Sequence, residues 1–197
     1  MQLEDRVKHL FGASIEAKIA VADTMASVIA KAGMRLANCL LNDGKLILCG
    51  NGGSAANCLH FSAAMLNRFE VERPALPVIA LTDQGALTSV GNDGHFDQVF
   101  ARQIQALGHE GDVLVAITTS GNADNILQAV NAANDRGMDT IALSGRDGGV
   151  LANHLGPEDI ELRVAGDTAA RIREMHLFIL HCFCDLIDQC LFGQMVG

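Results

Sequence analysis

The stretch Leu46-Ile47-Leu48-Cys49-Gly50-Asn51-Gly52-Gly53-Ser54-Ala55-Ala56 decides the fold. An apolar run, a glycine-rich turn and a string of small residues read as a buried strand, a tight loop and a helix start that Ser54 is expected to cap. Glycines permit positive φ and let backbone N–H groups converge, and a helix N-terminus adds about half a positive charge. Asn51, Gly52, Gly53 and Ser54 therefore form a candidate anion cradle without Lys or Arg. The loop lacks the lysine of a nucleoside triphosphate loop and the spacing of a dinucleotide fingerprint, so both of those readings fall away. A merely structural turn is the competing reading.

A second stretch of the same kind follows: Val113-Leu114-Val115-Ala116-Ile117-Thr118-Thr119-Ser120-Gly121-Asn122. Three consecutive hydroxyls at a strand end supply donors for phosphate oxygens, although any one of them could simply cap the next helix. Two such loops after parallel strands both open at the carboxyl edge of the sheet, where ligands of open α/β folds bind. Thr118, Thr119, Ser120 and Asn122 are thus expected to share one phosphosugar pocket with the first loop.

Further apolar runs at 77–81, 140–144 and 160–164 alternate with amphipathic stretches such as 96–107 and 123–136. Strands separated by crossover helices give a parallel sheet covered on both faces. The expectation is a three-layer α/β/α sandwich with a five-stranded parallel sheet. It is a single domain over 1–197, with a helical pair over 1–43, an α/β core over 44–166 and a C-terminal helix over 167–192. Apolar residues on nearly every side of that last helix exceed what one buried face needs. The surplus predicts packing against another subunit; a helix sunk in one larger core is the alternative.

A chain of 197 residues can bury roughly 70% of its unfolded surface without disulfides or a structural metal. Its 14 Lys and Arg against 23 Asp and Glu, a net charge of −9, argue against direct nucleic-acid binding. The absence of Trp and Tyr removes the stacking platforms of single-strand binders. The six cysteines lack the spacings of a zinc ribbon or a redox pair and read as buried free thiols of a cytoplasmic protein. No leader is evident in MQLEDRVKHL, and no stretch is expected to span a membrane.

Taken together, GNGGSAANCLHF, LPVIALTD, GNDG, GHEGDVLVAITTSGN, IALSGRDGG and TAARIREMHLFILHCFCDLID resemble the sugar isomerase (SIS) family over essentially the whole chain. The likeness is to its phosphoheptose isomerase (GmhA)/DiaA group. That resemblance implies a flavodoxin-like SIS fold, a homotetramer, and a sugar-phosphate site with the phosphate on the hydroxyl-bearing loop. For the isomerases it implies interconversion of sedoheptulose 7-phosphate and an aldoheptose 7-phosphate through an enediol. The group places His and Glu one helical turn apart and completes a zinc site with Gln and His on the last helix.

Here His60 and His181 match the two histidines, but the Glu position is Ala64 and the Gln position is Arg173. A methyl group cannot take a proton, and a guanidinium repels a divalent cation. Ala123 stands where the family pattern continues with Ser. Zinc at His60 and His181 is therefore expected to be weak or absent. Asp83 and the pair Asn92 and Asp93 are candidate sugar contacts, with turn and cap chemistry as the alternative. The departures resemble the DiaA side of the group, which implies a scaffold that binds the DnaA initiator. An active isomerase using other residues, and a phosphosugar sensor with another partner, are the alternatives. Gly193 reads as a helix C-cap that leaves Leu191 and Phe192 exposed as a candidate partner anchor.

Overall fold

The computed structural model describes residues 2–193, so the expected domain limits at 1 and 197 lie outside it. Strands β1 (Leu46–Gly50), β2 (Val78–Ala80), β3 (Val113–Ile117), β4 (Asp139–Gly145) and β5 (Ile160–Val164) form one sheet, parallel throughout, in the order β2-β1-β3-β4-β5. The helices are α1 (Leu3–Leu41), α2 (Gly53–Leu66), α3 (Gln84–Asn92), α4 (Ala101–Leu107), α5 (Asp124–Asp135) and α6 (Ala169–Phe192). The expected three-layer sandwich and its five strands are present.

Alternation along the strands builds two cores. Leu46, Leu48, Val113, Val115, Ile117, Ile141 and Leu143 face the layer of α1, α2 and α6. Ile47, Cys49, Leu114, Ala116 and Ala142 face α3, α4 and α5. Because successive side chains point to opposite faces, a strand between two helical layers must be apolar at every position, and β1 and β3 are buried throughout.

Two expectations about the outer helices need correction. The N-terminal segment is one unbroken helix of 39 residues, about 58 Å long at 1.5 Å per residue, and not a helical pair. Gly33 does not interrupt it. A Cβ there would lie 2.6 Å from Leu186 Cδ1 of α6, so the missing side chain serves close packing between the two helices. The surplus assigned to the last helix is also largely buried by the chain itself: Ile172, Met175, Ile179, Leu180, Phe183, Cys184 and Ile187 are all in the core. On α6 Phe178 stays 45% exposed, but the larger exposed apolar surface is on α1, where Leu3 is 87%, Phe11 67%, Ile15 56% and Ile19 56% exposed.

By length and apolarity α6 does meet the requirement of a membrane span, with mean hydropathy 1.4 over 18 residues, contrary to the reading of the sequence. Its apolar side is spent on α1, α2 and the sheet. Nor are all thiols buried: Cys39, Cys49, Cys58 and Cys184 are, Cys182 is half-buried and Cys190 is exposed. At the C-terminal end Gly193 caps α6 in the left-handed region at φ 64, as expected. Leu191 and Phe192 are half-buried against the core instead of exposed, because the end of α6 still lies on that layer.

One buried ion pair ties α6 to the segment between α2 and β2. Arg73 Nε donates to Asp188 Oδ1 at 2.6 Å, and the two side chains are 1% and 8% exposed. Its remaining N–H groups reach Ala64 O, Met65 O and Pro74 O at 2.8–3.0 Å; Ala64 O is a carbonyl that the end of α2 leaves open, and Met65 O also accepts Leu76 N–H at 3.1 Å. Breaking such a pair strands a buried charge, which costs about 3–5 kcal/mol. Arg73→Met is accordingly expected to lower unfolding stability by that amount in urea titrations. Arg73→Met with Asp188→Leu should recover only part, since Ala64 O loses the N–H that Arg73 gave it.

Candidate functional site

β1 and β3 are paired with Gly50 opposite Ile117, so the loops that follow leave the sheet side by side at its carboxyl edge. From the first loop the chain enters α2 on one face of the sheet, and from the second it enters α5 on the other. Strand order reverses here, and the divergence of the two connections opens a crevice at the point where open α/β sheets take ligands. The structure thus brings 50–54 and 118–122 to one edge.

Gly52 holds the first turn, with φ 55 and ψ −117, as the N-cap of α2. Ser54, expected as the cap, lies instead inside the first helical turn and is 4% exposed, its N–H bonded to Asn51 O at 2.9 Å. The helix begins before the hydroxyl, so no side-chain oxygen caps it. In the second loop Thr118 Oγ1 accepts from Ser120 N–H at 3.5 Å and Gly121 N–H at 3.2 Å, and Ser120 Oγ accepts from Asn122 N–H at 3.4 Å. Ala123 is the N-cap of α5 and has no oxygen to offer, which is the physical cost of the missing family Ser.

Asn125 was not singled out in the sequence, and it joins the loops. Its amide exchanges two hydrogen bonds, both 2.8 Å, with the amide of Asn51, and it is 3% exposed. An Asn flanking the buried Ile126 and Leu127 at the start of α5 was the available signal. A third loop, 145–149 after β4, also packs here. A Cβ on Gly121, at φ 69, would fall 1.8 Å from Gly148 O, and Val150 N–H donates to Asn122 Oδ1 at 3.0 Å. Asn122 therefore spends its carbonyl oxygen on this loop. Asp83 caps α3 by accepting Ala86 N–H at 2.6 Å, and Asn92 and Asp93 end the same helix, exposed.

His60 on α2 and His181 on α6 meet with their Nε2 atoms 2.9 Å apart. Burial first, and the neighbouring His60 second, hold the His181 imidazole below its ordinary pKa. One ring then carries the shared proton and the other accepts it. The cavity beside them, about 420 Å³, is lined by Ala64, Arg68 and Phe69, with no carboxylate on its wall. Of the glutamates near in sequence, Glu72 pairs with Arg68 and Glu174 with Lys18 and Arg171, while Glu70 lines, with Asp185, the adjoining groove that reaches Phe69 and His181 from the α1 side. Burial tends to raise the Glu174 pKa, but hydrogen bonds from Ser14 and Lys18 outweigh it and keep the carboxyl below its ordinary value.

Arg173 does not join the histidines. Its side chain lies on Gly53, where a Cβ would meet its Cδ at 2.6 Å and its Nε at 3.0 Å. Arg173 and His181 are eight residues apart on α6, about 12 Å along its axis. The cradle read as free of Lys and Arg thus has a guanidinium beside it, supplied from 120 residues away in the chain. Zinc of the kind the resemblance implies would need His60, a carboxylate, an amide oxygen and His181. Position 64 offers a methyl group, and among the described residues no three His, Cys, Asp or Glu side chains gather for a metal. The donor set does not fit zinc.

A doubly wound parallel sandwich with glycine and hydroxyl loops at its switch point defines the class of open α/β proteins. Within that class the family model described as SIS domain matches residues 11–145. The chain belongs to the SIS-domain family. It is 58% identical over 198 residues, covering all of both chains, to a protein of Halorhodospira halophila named phosphoheptose isomerase. It is 51% identical over 191 residues, 96% of this chain and 97% of the other, to the DnaA initiator-associating protein DiaA of Escherichia coli. The solved phosphoheptose isomerase of Francisella tularensis superposes with a TM-score of 0.92 at 49% identity, covering 96% of this chain and all of that one.

His176, one turn beyond Arg173, is fully buried, with Nε2 2.8 Å from Ser144 O and no partner for Nδ1. Burial, with the positive charge of Arg173 as a lesser cause, lowers its pKa from 6.5 to about 4. Its folded value lies below its unfolded one, so the ring is neutral in both states above pH 6.5. Between pH 6.5 and 4 only the unfolded state gains the proton, and stability falls. At about 1.4 kcal/mol per unit the loss approaches about 3 kcal/mol by pH 4. Chemical denaturation across this window should show wild type losing that much more than His176→Gln.

Proposed function

We propose that this chain is a homo-oligomeric SIS protein that binds a sugar phosphate without isomerising it and serves as a binding partner of a DnaA-type replication initiator in the cytoplasm. The observation that carries the reading is Ala64. Moving a proton between the carbons flanking an enediol requires a base within hydrogen-bond reach of the substrate. One turn after His60 that base is replaced by a methyl group, and no carboxylate lines the cavity that holds both histidines; Glu70 and Asp185 line the adjoining groove, which reaches His181 but not His60. What remains is suited to holding a ligand: converging N–H groups at Gly52 and Gly53, hydroxyls at Thr118, Thr119 and Ser120, and a helix start at each loop.

The oligomer rests on α1. Its exposed Phe11, Ile15 and Ile19 form the apolar face that a second copy would cover. The initiator enters through likeness to a relative named for that association. Leu191 and Phe192, half-exposed at the end of α6, remain the candidate anchor.

The isomerase reading has support of its own, since a relative at 58% identity and a structure at 49% carry the name phosphoheptose isomerase. Incubation of purified protein with sedoheptulose 7-phosphate, with and without zinc, beside a pull-down with the initiator separates the two. The expected result is capture of the initiator with turnover about 10²- to 10⁴-fold below a Glu-bearing relative, the usual worth of a general base. Comparable turnover would establish the enzyme. Changing Leu191 and Phe192 to Ala should abolish capture with the oligomer intact by light scattering; dissociation would show the pair to be structural.

A further inference from the structure

Four arginines of this chain are partly or largely buried: Arg35, Arg73, Arg171 and Arg173. The first three each hold a carboxylate, on Asp139, Asp188 and Glu174. Arg173 does not. Among the described residues its guanidinium has neither an ion pair nor a hydrogen bond, although the backbone carbonyl of the same residue accepts from Asn57 Nδ2 at 3.1 Å. Partial desolvation of a charge without a partner is costly, which is why such groups are ordinarily paired.

The position of the side chain is nevertheless defined. Its stem occupies the space that a Cβ on residue 53 would take, so Gly53 is what admits the arginine to this edge. The preceding residue ties the same turn of α6 to the hydroxyl loop: a Cβ on Gly145 would meet Ile172 Cγ2 at 2.7 Å and Thr119 O at 2.8 Å. The loops are themselves joined through Asn51 and Asn125. An uncompensated positive charge is thereby anchored beside two loops rich in N–H and O–H donors. The helix start at Gly53 adds potential of the same sign. His176 is held neutral one turn away and does not compete for an anion.

We propose that Arg173 recognises a second anionic group on a phosphorylated ligand: the phosphate sits on Thr118–Asn122 and a carboxylate is taken by the guanidinium fork. The ligand class is a phosphorylated sugar acid, in contrast to a ketose or aldose phosphate whose far end is neutral. The planar fork matches a carboxylate in a bidentate pair, which a metal or a lysine would bind as a point charge. This assignment rests on the sugar-phosphate pocket proposed above.

Calorimetric titration of the full chain with 6-phosphogluconate and with glucitol 6-phosphate tests it, because the two differ chiefly in the carboxylate. Wild type is expected to bind 6-phosphogluconate at least about tenfold more tightly, the worth of one charge-assisted pair. Arg173→Gln should bring the ratio near one, with the loss falling mainly on 6-phosphogluconate. Arg173→Lys, which keeps the charge without the fork, should fall between, and it serves if the Gln variant does not fold. Equal binding of the two ligands by wild type overturns the assignment but leaves the phosphate pocket standing. A preference that survives in Arg173→Gln overturns it as well. Binding of neither ligand overturns the pocket and the assignment together.

Discussion

The handedness of parallel crossovers is the constraint from which the rest of this molecule follows. A strand, helix and parallel strand connect in a right-handed sense, so the direction of travel across the sheet decides which face receives the helix. From β1 the chain moves outward to β2 and lays α2 on the face shared with α1 and α6; from β3 it moves the other way and lays α5 on the opposite face. The two connections must part, and the gap between them is the crevice. Neither the glycines nor the hydroxyls create it. They line a space that strand order has already opened.

α6 supplies what those loops lack. Neither loop contains a cation, yet the helix that closes the fold returns across α2 and sets Arg173 on Gly53 and His181 on His60, two turns apart along the same seam. Its placement depends on contacts far from the crevice. Gly33 lets α1 approach Leu186, and Arg73 binds Asp188 while closing the end of α2. Small side chains and one buried ion pair therefore fix the seam, and the seam fixes the chemistry at the carboxyl edge.

What could be read from the sequence was whatever depends on periodicity. Five apolar runs, their alternation with helices, and two strand-to-helix turns ending in glycine or hydroxyls are local patterns, and they define the sheet and the edge that both loops share. What could not be read depends on where a long side chain ends up. Arg173 was expected beside the histidines because its position in the motif is that of a metal ligand, whereas a guanidinium stem is long enough to turn toward the loop. Asn125 carries no local pattern that separates it from any polar residue in the first turn of a helix, and only its burial and its bonds mark it as the bridge to Asn51. The apolar excess of α6 was visible, but composition alone cannot say whether the chain's own α1 or another copy covers it. The helical pair expected over 1–43 is one helix of 39 residues, long enough to lie along α6.

The two departures at positions 64 and 173 belong to one change in electrostatics. A zinc ion held by His, Glu, Gln and His would place net positive charge between α2 and α6, with the carboxylate reducing it. With Ala64 that carboxylate is gone, and the two histidines satisfy each other at 2.9 Å without an ion. With Arg173 a fixed positive charge returns to the seam, moved by about two turns toward the glycine and hydroxyl loops and no longer dependent on metal supply or on the protonation of ligands. Such a charge can orient an anion but cannot accept a proton, since a guanidinium stays protonated in proteins. A ligand would thus be met at this seam by a fixed cation, where the zinc set would have offered a metal and a carboxylate base.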